Sequence, residues 1–322
     1  LIGGQDELIF DGNSMVFNSD MNLIAKGKNF EEDLIIVDTD SSLINESEVE
    51  INNEIYSALT LGIKDYFSKT GHQKAVIGLS GGIDSALVAC LAVDALGSEN
   101  VYLVSMPSRF SSEHSKTDAK QLAQNLNAHF DTVDIDSLFE KYLDVLNPKF
   151  KGLESNVAEE NIQSRIRGNI LMALSNKFGC LVLSTGNKTE LALGYCTLYG
   201  DMSGGLSAIG DLSKTEVYNL AKWKNKVSNN IIPDSSITKP PSAELAPNQV
   251  DPFDYDLISP IVDKIVLGED ISRDVADTDL GDIVTRINHN EHKRRQAAPV
   301  LRISKKAFGI GRRVPIVNHF DE

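Results

Sequence analysis

Apolar positions along the chain follow two different periods, and the change falls near Ile51. Before that residue, short apolar runs alternate with turn residues, which predicts short strands joined by tight turns. These runs are Leu8–Phe10, Met15–Phe17, Leu23–Ala25 and Leu34–Val37. From Ile51 onward, apolar residues recur at helical spacing, which is typical of a helix that packs one face against a core.

Strands and helices then alternate through the middle of the chain. The run Lys74–Leu79 has no charge after its first residue, so it predicts a strand buried on both faces of a sheet. An apolar helix is predicted over Asp84–Leu96, where Gly97 ends it. The remaining units are strands Val101–Met106, Phe130–Ile135 and Leu181–Leu183 and helices Asp118–Leu126, Glu159–Lys177 and Ser213–Lys226. This alternation predicts an α/β fold with a Rossmann-like, doubly wound parallel sheet, preceded by a short β-rich fragment.

Two polar segments interrupt this pattern. The stretch from Asp38 to Glu50 is acidic, and we interpret it as a linker. Six of the ten prolines lie between Pro233 and Pro260. Because proline lacks a backbone donor, we expect no regular element in this segment. A loop of that length in a compact domain is usually a lid or disordered.

Charge and cysteine content narrow the function classes. With 31 basic and 46 acidic residues, the net charge of −15 gives no general attraction to DNA or RNA, so we expect no nucleic-acid partner. No apolar window is long enough to span a membrane. Three cysteines without metal-pair spacing favour free thiols in a reducing cytoplasm. The stretch from Lys293 to Arg313 has eight basic residues and no acid, and such a run is by default a solvated tail.

The junction between the first buried strand and its helix has the sequence GLSGGIDS. Glycines let a backbone approach an anion closely, and the free N–H groups of a helix N-terminus attract negative charge. Asp84 would repel phosphates unless it holds Mg²⁺ that bridges their oxygens. We therefore predict an ATP-binding loop composed of Gly78, Leu79, Ser80, Gly81, Gly82, Ile83, Asp84 and Ser85. The alternative is an ordinary glycine-rich turn with Asp84 capping the helix.

This loop lacks the lysine of a Walker A motif and resembles the pyrophosphate loop of the ATP pyrophosphatase superfamily, whose fold is of the adenine nucleotide alpha hydrolase-like type. Further segments resemble NAD synthetases within that superfamily. They are Met106–Arg109, Glu160–Arg167, Ser184–Glu190, Tyr195–Asp201, Thr238–Leu245 and Glu291–Arg295. The last of these lends a binding role to the basic stretch.

The resemblance implies roles for individual residues. Catalysis falls to Asp84, Glu190 and Lys214, and the first two are the implied Mg²⁺ ligands. Besides the loop, the implied ATP contacts are Met106, Arg165, Thr185 and Lys214. The implied deamido-NAD contacts are Asn161, Glu190, Tyr195, Asp201, His292 and Lys293. The proline-rich Thr238–Leu245 segment is implied to be a lid over the substrates.

The implied reaction is the adenylation of deamido-NAD by ATP, followed by displacement of AMP by ammonia. The start of the chain resembles the end of the nitrilase-like glutaminase domain of glutamine-dependent NAD synthetases. The implied division is residues 1–40 for that fragment, 41–50 for a linker and 51–322 for the synthetase domain. Because no cysteine precedes Cys90, we expect the glutaminase nucleophile upstream of Leu1. A homodimer is also expected by resemblance.

Other functions remain open on the sequence alone. The closest rivals are other amidating or thiolating ATP pyrophosphatases, such as GMP synthetases and tRNA thiolases. A second class is a module that binds ATP without chemistry, and a third is an interaction scaffold. The acidic charge disfavours tRNA as a substrate. A non-catalytic module would have no use for Asp84 and Glu190 together.

Overall fold

The computed structural model describes residues 1–38, 43–44, 50–271 and 280–317, so most of the predicted linker at 41–50 lies outside the described residues. The strands are β1 (Ile2–Gln5), β2 (Leu8–Asp11), β3 (Met15–Phe17), β4 (Leu23–Lys26), β5 (Lys74–Gly78), β6 (Val101–Ser105), β7 (His129–Thr132), β8 (Cys180–Ser184) and β9 (Leu206–Ser207). The helices are α1 (Ile51–Thr70), α2 (Ile83–Leu96), α3 (Glu113–Asn125), α4 (Asp136–Phe150), α5 (Val157–Phe178), α6 (Lys188–Leu193), α7 (Lys214–Val227), α8 (Asp234–Thr238), α9 (Tyr255–Leu267), α10 (Leu280–His289) and α11 (Glu291–Arg294).

The central sheet has five strands in the order β7-β6-β5-β8-β9, and every pairing is parallel. The chain runs outward from β5 through β6 to β7, then returns to the other side of β5 to add β8 and β9. The order therefore reverses beside β5, which is the position where open α/β sheets bind ligands. The predicted Rossmann-like parallel sheet is confirmed.

Both faces of the sheet are covered, as the uncharged run in β5 predicts. Ala75 and Ile77 point into one apolar cluster, whereas Val76 points into another. The first cluster takes residues from α1, α2, α3 and α7, and the second takes residues from α4 and α5. Ile77 has no exposed surface, and burial of such a side chain contributes about 2 kcal/mol. A third cluster joins α6, α9 and α10.

Local capping fixes where several helices begin and end. Gly97 ends α2 with a φ of +86°, as predicted. Helix α3 begins five residues before its predicted start, because the Ser112 hydroxyl caps it by accepting from the Ser115 N–H at 3.2 Å. At α7, Glu216 accepts from the Ser213 N–H at 2.7 Å, which confirms the predicted start of that helix.

Two predictions of secondary structure are wrong. Residues Leu34–Val37 form no strand; Leu34 and Ile36 are almost fully exposed, so nothing buries the run. The proline-rich segment does contain regular structure, in α8 and the start of α9. Pro260 lies inside α9, where burial of Ile261, Val262 and Ile265 outweighs the hydrogen bond that proline cannot make. Helices α4 and α10 were not predicted.

The strands before α1 form two antiparallel hairpins, β1 with β2 and β3 with β4. The first hairpin packs on α1, where Asp65 accepts from the Gly4 N–H at 2.8 Å and Lys69 donates to the Gly4 carbonyl at 2.6 Å. The predicted strands Leu8–Phe10, Met15–Phe17 and Leu23–Ala25 are thus confirmed. Within the described part of the chain, no helix is long and apolar enough to cross a membrane.

Candidate functional site

A cavity of about 380 Å³ opens at the carboxyl ends of β5, β6 and β8, beside the point where the strand order reverses. It gathers residues that are far apart in the sequence. Of the eighteen residues predicted for the site, fourteen line this cavity: Gly78, Leu79, Ser80, Gly82, Ile83, Asp84, Met106, Asn161, Thr185, Glu190, Tyr195, Asp201, Lys214 and Lys293. Gly81, Ser85, Arg165 and His292 do not.

The glycine-rich loop between β5 and α2 forms one end of the cavity. Gly81 has a φ of +80°, and a Cβ added there would lie 2.2 Å from the Ser115 carbonyl oxygen of α3. Any larger residue would therefore push the loop away from α3. The Ser85 hydroxyl accepts from the Ser80 N–H at 3.2 Å and donates to the Gly82 carbonyl at 3.0 Å. Gly81 and Ser85 thus shape the loop without facing the cavity.

Three charged side chains meet beside this loop. The Lys214 ammonium donates to Asp84 Oδ2 at 2.6 Å and to Glu190 Oε1 at 3.1 Å. Burial raises the pKa of Glu190, the Lys214 charge opposes that rise, and Asp84 adds to it. Burial alone would lower the pKa of Lys214, but the two carboxylates raise it above its ordinary value. The lysine is therefore charged, and it neutralises part of the paired acids.

A fourth residue, Asn187, holds this group together and was not predicted. Its side-chain N–H donates to Asp84 Oδ1 at 2.8 Å, and its oxygen accepts from the Glu190 N–H at 3.0 Å. Asn187 caps α6, so the bonds that start the helix also fix Glu190. An Asn three residues before a Glu is a recognisable helix-start signal, so the sequence did contain the cue.

The carboxylates of Asp84 and Glu190 match the modest ligand set of Mg²⁺. That ion is usually held by one or two carboxylates, with phosphate oxygens and water completing its shell. Among the described residues, no group of three or more His, Cys, Asp or Glu side chains is placed to hold a metal by itself. The two acids therefore fit a metal that arrives with a phosphate-bearing substrate, and Lys214 already contacts one oxygen of each.

Another part of the cavity wall carries four of the predicted dinucleotide contacts, Asn161, Tyr195, Asp201 and Lys293. Hydrogen bonds to neighbouring residues hold this part of the wall in place. The Thr197 hydroxyl donates to Asn161 Oδ1 at 2.6 Å. Asp201 Oδ1 accepts from the Ser164 hydroxyl and from the Thr197 N–H, both at 2.8 Å. Lys293 donates to backbone carbonyls on either side of Tyr195, at 2.7 and 2.9 Å. These contacts fix the 194–201 turn against α5 and α11.

Two residues named by resemblance lie away from the cavity. Arg165 is exposed, and its Nε donates to the Leu198 carbonyl at 3.2 Å. His292 is also exposed, with Nδ1 at 2.8 Å from the His289 carbonyl oxygen. Two positions after Arg165 in α5, Arg167 does line the cavity, and its Nε donates to the Met106 carbonyl at 2.9 Å. Of these two arginines, Arg167 lines the cavity and Arg165 does not, and the ATP contact that the resemblance implies for Arg165 stays a prediction.

The expectation of a solvated basic tail is wrong for much of the Lys293–Arg313 stretch. Arg294 is buried and donates to the Leu191 and Ala192 carbonyls, and its guanidinium pairs with Glu291 at 3.1 Å. Arg312 donates to the Val266 carbonyl at 3.2 Å. These cations bind the ends of α6 and α9, where carbonyl groups lack helical partners.

A parallel sheet with an anion-binding loop at its switch point, next to paired acids and a buried lysine, defines a nucleotide-binding α/β protein. The NAD synthase family model matches residues 55–297, so the chain belongs to the NAD synthase family. The match includes every predicted site residue.

Relatives of known identity extend this comparison. The chain is 47% identical to a glutamine-dependent NAD(+) synthetase of Synechocystis sp., over 99% of this chain and 60% of that protein. The glutamine-dependent NAD+ synthetase of Acinetobacter baumannii, solved with ADP, matches with a TM-score of 0.72 and 40% identity, over 98% of this chain and 60% of that one. The chain thus spans about three fifths of the length of these relatives. The NMN synthetase of Francisella tularensis matches with a TM-score of 0.64 and 26% identity, over 80% of this chain and 99% of that one.

Proposed function

We propose that the chain is a carbon–nitrogen ligase that amidates deamido-NAD to NAD, with ATP as co-substrate, and so serves NAD biosynthesis. The observation that carries the proposal is the meeting of the glycine-rich loop with Asp84, Glu190 and Lys214 in one cavity at the switch point. Membership of the NAD synthase family and relatives named NAD synthetases support it.

In the first step, the backbone N–H groups of the loop and the α2 N-terminus hold the pyrophosphate end of ATP. A carboxylate oxygen of deamido-NAD forms a bond to the α-phosphorus, and the bond from that phosphorus to pyrophosphate breaks. Lys214 provides a buried positive charge close to where charge builds up on the phosphates. Asp84 and Glu190 would hold Mg²⁺, which supplies charge neutralisation to the phosphate oxygens when bound.

In the second step, the nitrogen of ammonia forms a bond to the acyl carbon of the adenylate. The bond between that carbon and the AMP oxygen breaks, AMP leaves, and the nitrogen loses one proton. The cavity walls contribute chiefly by holding the two substrates in line. The proposed ATP contacts are the loop, Met106 and Thr185, and the proposed deamido-NAD contacts are Asn161, Tyr195, Asp201 and Lys293.

The setting of the reaction is part of the same proposal. Residues 1–40 are proposed to be the end of a glutaminase domain that supplies ammonia, with 51–322 as the synthetase domain. The family-model match to residues 55–297 supports the proposed extent of the synthetase domain. A homodimer in the cytoplasm is proposed as well, and the free state of Cys90, Cys180 and Cys196 agrees with a reducing compartment.

The test is an assay of the 322-residue chain with ATP, MgCl₂, ammonium chloride and deamido-NAD, with NAD, AMP and pyrophosphate measured separately. We expect one AMP and one pyrophosphate per NAD, and pyrophosphate release that requires deamido-NAD. Asp84→Asn should lose at least about 100-fold in kcat, because it removes one charge from the proposed metal site. If Asp84→Asn were as active as the original chain, Asp84 would not be a ligand of a catalytic metal.

Two substitute substrates and one binding measurement distinguish the alternative functions. Nicotinate mononucleotide in place of deamido-NAD tests the activity implied by the name of the Francisella tularensis relative. Xanthosine monophosphate tests an amidation of the GMP synthetase kind. ATP binding without pyrophosphate release in any mixture would leave a non-catalytic nucleotide-binding module. Any of these results would displace deamido-NAD from the proposal.

A further inference from the structure

The segment Lys239–Asp251 forms a folded roof over the cavity, and we call it the lid. Its ends close on each other, since the Asp251 N–H donates to the Pro241 carbonyl at 3.0 Å. Inside it, the Ser242 hydroxyl donates to the Gln249 carbonyl at 2.6 Å, and Gln249 Oε1 accepts from the Leu245 N–H at 2.7 Å. A loop with adjoining ends and its own internal bonds can move as one body.

Most of the hydrogen bonds between the lid and α3 are made by one carboxylate. Glu244 accepts from the Ser115 hydroxyl at 2.7 Å, from the Ser112 hydroxyl at 2.9 Å and from the Ser112 N–H at 3.2 Å. A negative charge is favourable at this position, because the N-terminus of a helix carries partial positive charge. Lys239 adds a bond from its ammonium to the Ser115 hydroxyl at 2.8 Å.

Glu244 maintains this arrangement against a backbone cost. Its φ is +49°, a left-handed value that residues other than glycine rarely adopt. Such a conformation persists where surrounding contacts fix it, and here three hydrogen bonds to one carboxylate do so. The strain and the bonds together indicate a fastening that holds the lid down and that can also be released.

The turn of α3 that receives Glu244 also contacts the glycine-rich loop. The carbonyl oxygen of Ser115 would be 2.2 Å from a Cβ on Gly81. Ser115 therefore faces the loop with its backbone and the lid with its side chain. The two ends of the cavity share this one helical turn.

We propose that Glu244 is a positioning residue that latches the lid to the first turn of α3 and keeps water away from the bound intermediate. The inference rests on the proposed function, because that reaction passes through an acyl-adenylate. If the lid opens early, water attacks the acyl carbon, the bond to AMP breaks and a proton is released. Deamido-NAD is regenerated, and ATP is consumed without formation of NAD.

The first test measures the lid itself and needs no turnover. Hydrogen–deuterium exchange of the 239–251 region is compared between the original chain and Glu244→Ala, both without substrates. Loss of charged hydrogen bonds should raise exchange of the lid about tenfold. The matched control is Glu113→Gln, which removes a carboxylate from the same turn of α3. Among the described residues, that carboxylate is ion-paired with half-buried Lys116 and not with the lid. Its lid should exchange as in the original chain.

The second test measures coupling in the amidation assay. Glu244→Ala should raise the ratio of AMP to NAD at least about threefold and raise KM for ATP more than it lowers kcat. Glu244→Gln keeps the size and part of the hydrogen bonding, so its AMP to NAD ratio should lie between those of Glu244→Ala and the original chain. Because the lid contributes little to the three apolar clusters, thermal unfolding should change little.

The possible outcomes distinguish a failure of the latch proposal from a failure of the proposed function. Faster lid exchange together with a raised AMP to NAD ratio supports the latch. Unchanged lid exchange in both Glu244 variants would overturn it, whatever the activity. If Glu244→Ala does not fold, Glu244→Gln alone decides by the same exchange measurement. Faster exchange in a chain that makes no NAD from deamido-NAD would retain the lid contact but refute the proposed function.

Discussion

The two ends of the cavity are built on different principles. The glycine-rich loop is made by backbone and packing: Leu79 and Ile83 are buried, and Gly81 fits against α3 with no room for a side chain. The lid is made by side-chain hydrogen bonds, and most of its residues keep some exposed surface. The glycine-rich loop is rigid because buried apolar residues pack around it. The lid is held by hydrogen bonds, which can break and re-form.

This difference suits the proposed reaction, which requires the site to position phosphates and also to admit and release a dinucleotide. A preorganised anion site stabilises developing charge without reorganising at the moment of reaction. A roof attached by a few polar bonds can open within a catalytic cycle. Substitutions in the loop should therefore affect folding and chemistry together, whereas those in the lid should affect binding and coupling.

The largest effect is expected for Gly81→Ala. The new methyl group would overlap the Ser115 carbonyl, and the positive φ disfavours any Cβ. We expect a loss of about 3 kcal/mol in the free energy of unfolding. ATP binding should become too weak to measure, because the loop must move away from α3. Chemical denaturation and calorimetric titration with ATP measure the two quantities.

Gly82→Ala is the matched control for that prediction. Gly82 has a φ of −85°, and the nearest atom to an added Cβ is the rotatable Ser80 hydroxyl at 3.3 Å. Its stability should stay within about 1 kcal/mol of the original chain. ATP should still bind more weakly, because Gly82 faces the cavity. Equal destabilisation by both alanines would mean that the loop is not held by the Ser115 contact.

The loop and the sheet could be predicted because their signals are local. A strand with no charge after its first residue, a pair of glycines and an apolar helix lie within 74–96, and β5, the turn and α2 follow that order. Cap residues made the predicted start of a helix more accurate, since the Ser213 and Glu216 pair located the start of α7. The segment Leu34–Val37 shows the limit, because an apolar run becomes a strand only where other elements bury it.

The rest of the site depends on long-range contacts that spacing does not encode. Glu244 and Ser115 are 129 residues apart, and nothing near either residue indicates their pairing. Helix α9 forms in spite of Pro260 because its apolar face packs in the third cluster. Arg165 and Arg167 lie on the same helix, and only packing of α5 decides which of them faces the cavity.

Two single substitutions of lysine, one beside the glycine-rich loop and one in the lid, compare the two ends of the cavity directly. Lys214→Met removes the ammonium shared by Asp84 and Glu190, so the carboxylates repel each other and the phosphates lose a buried cation. We expect kcat/KM for ATP to fall about 1000-fold. Lys239→Met removes one of the two hydrogen bonds between the lid and the Ser115 hydroxyl and leaves the bond to Glu244, so kcat/KM should fall less than about tenfold.

Steady-state kinetics at saturating deamido-NAD provide the measurement for both lysines. The loss in Lys214→Met should lie mainly in kcat, and that in Lys239→Met mainly in KM. The opposite assignment would show that the lid carries the chemistry and would reverse the comparison of the two ends. Circular dichroism of each variant distinguishes a catalytic loss from unfolding.

The smallest of the main effects, leaving the control variants aside, is expected in α5, the cavity wall that contacts both the glycine-rich loop and the lid. Leu171 packs near Gly78, and Gln163 donates to the Leu245 carbonyl of the lid at 2.8 Å. Burial lowers the pKa of Arg167 to about 10, so its guanidinium is still charged at neutral pH and faces the cavity. Arg167→Met should therefore raise KM for ATP about tenfold, since Arg167 binds the Met106 carbonyl on the proposed adenine side.

Arg165→Met is the matched control, and its KM should stay within about twofold because that side chain is exposed outside the cavity. A larger loss in Arg165→Met than in Arg167→Met would show that the first arginine of the helix contacts ATP, as the resemblance implies, and that α5 rotates when the site fills.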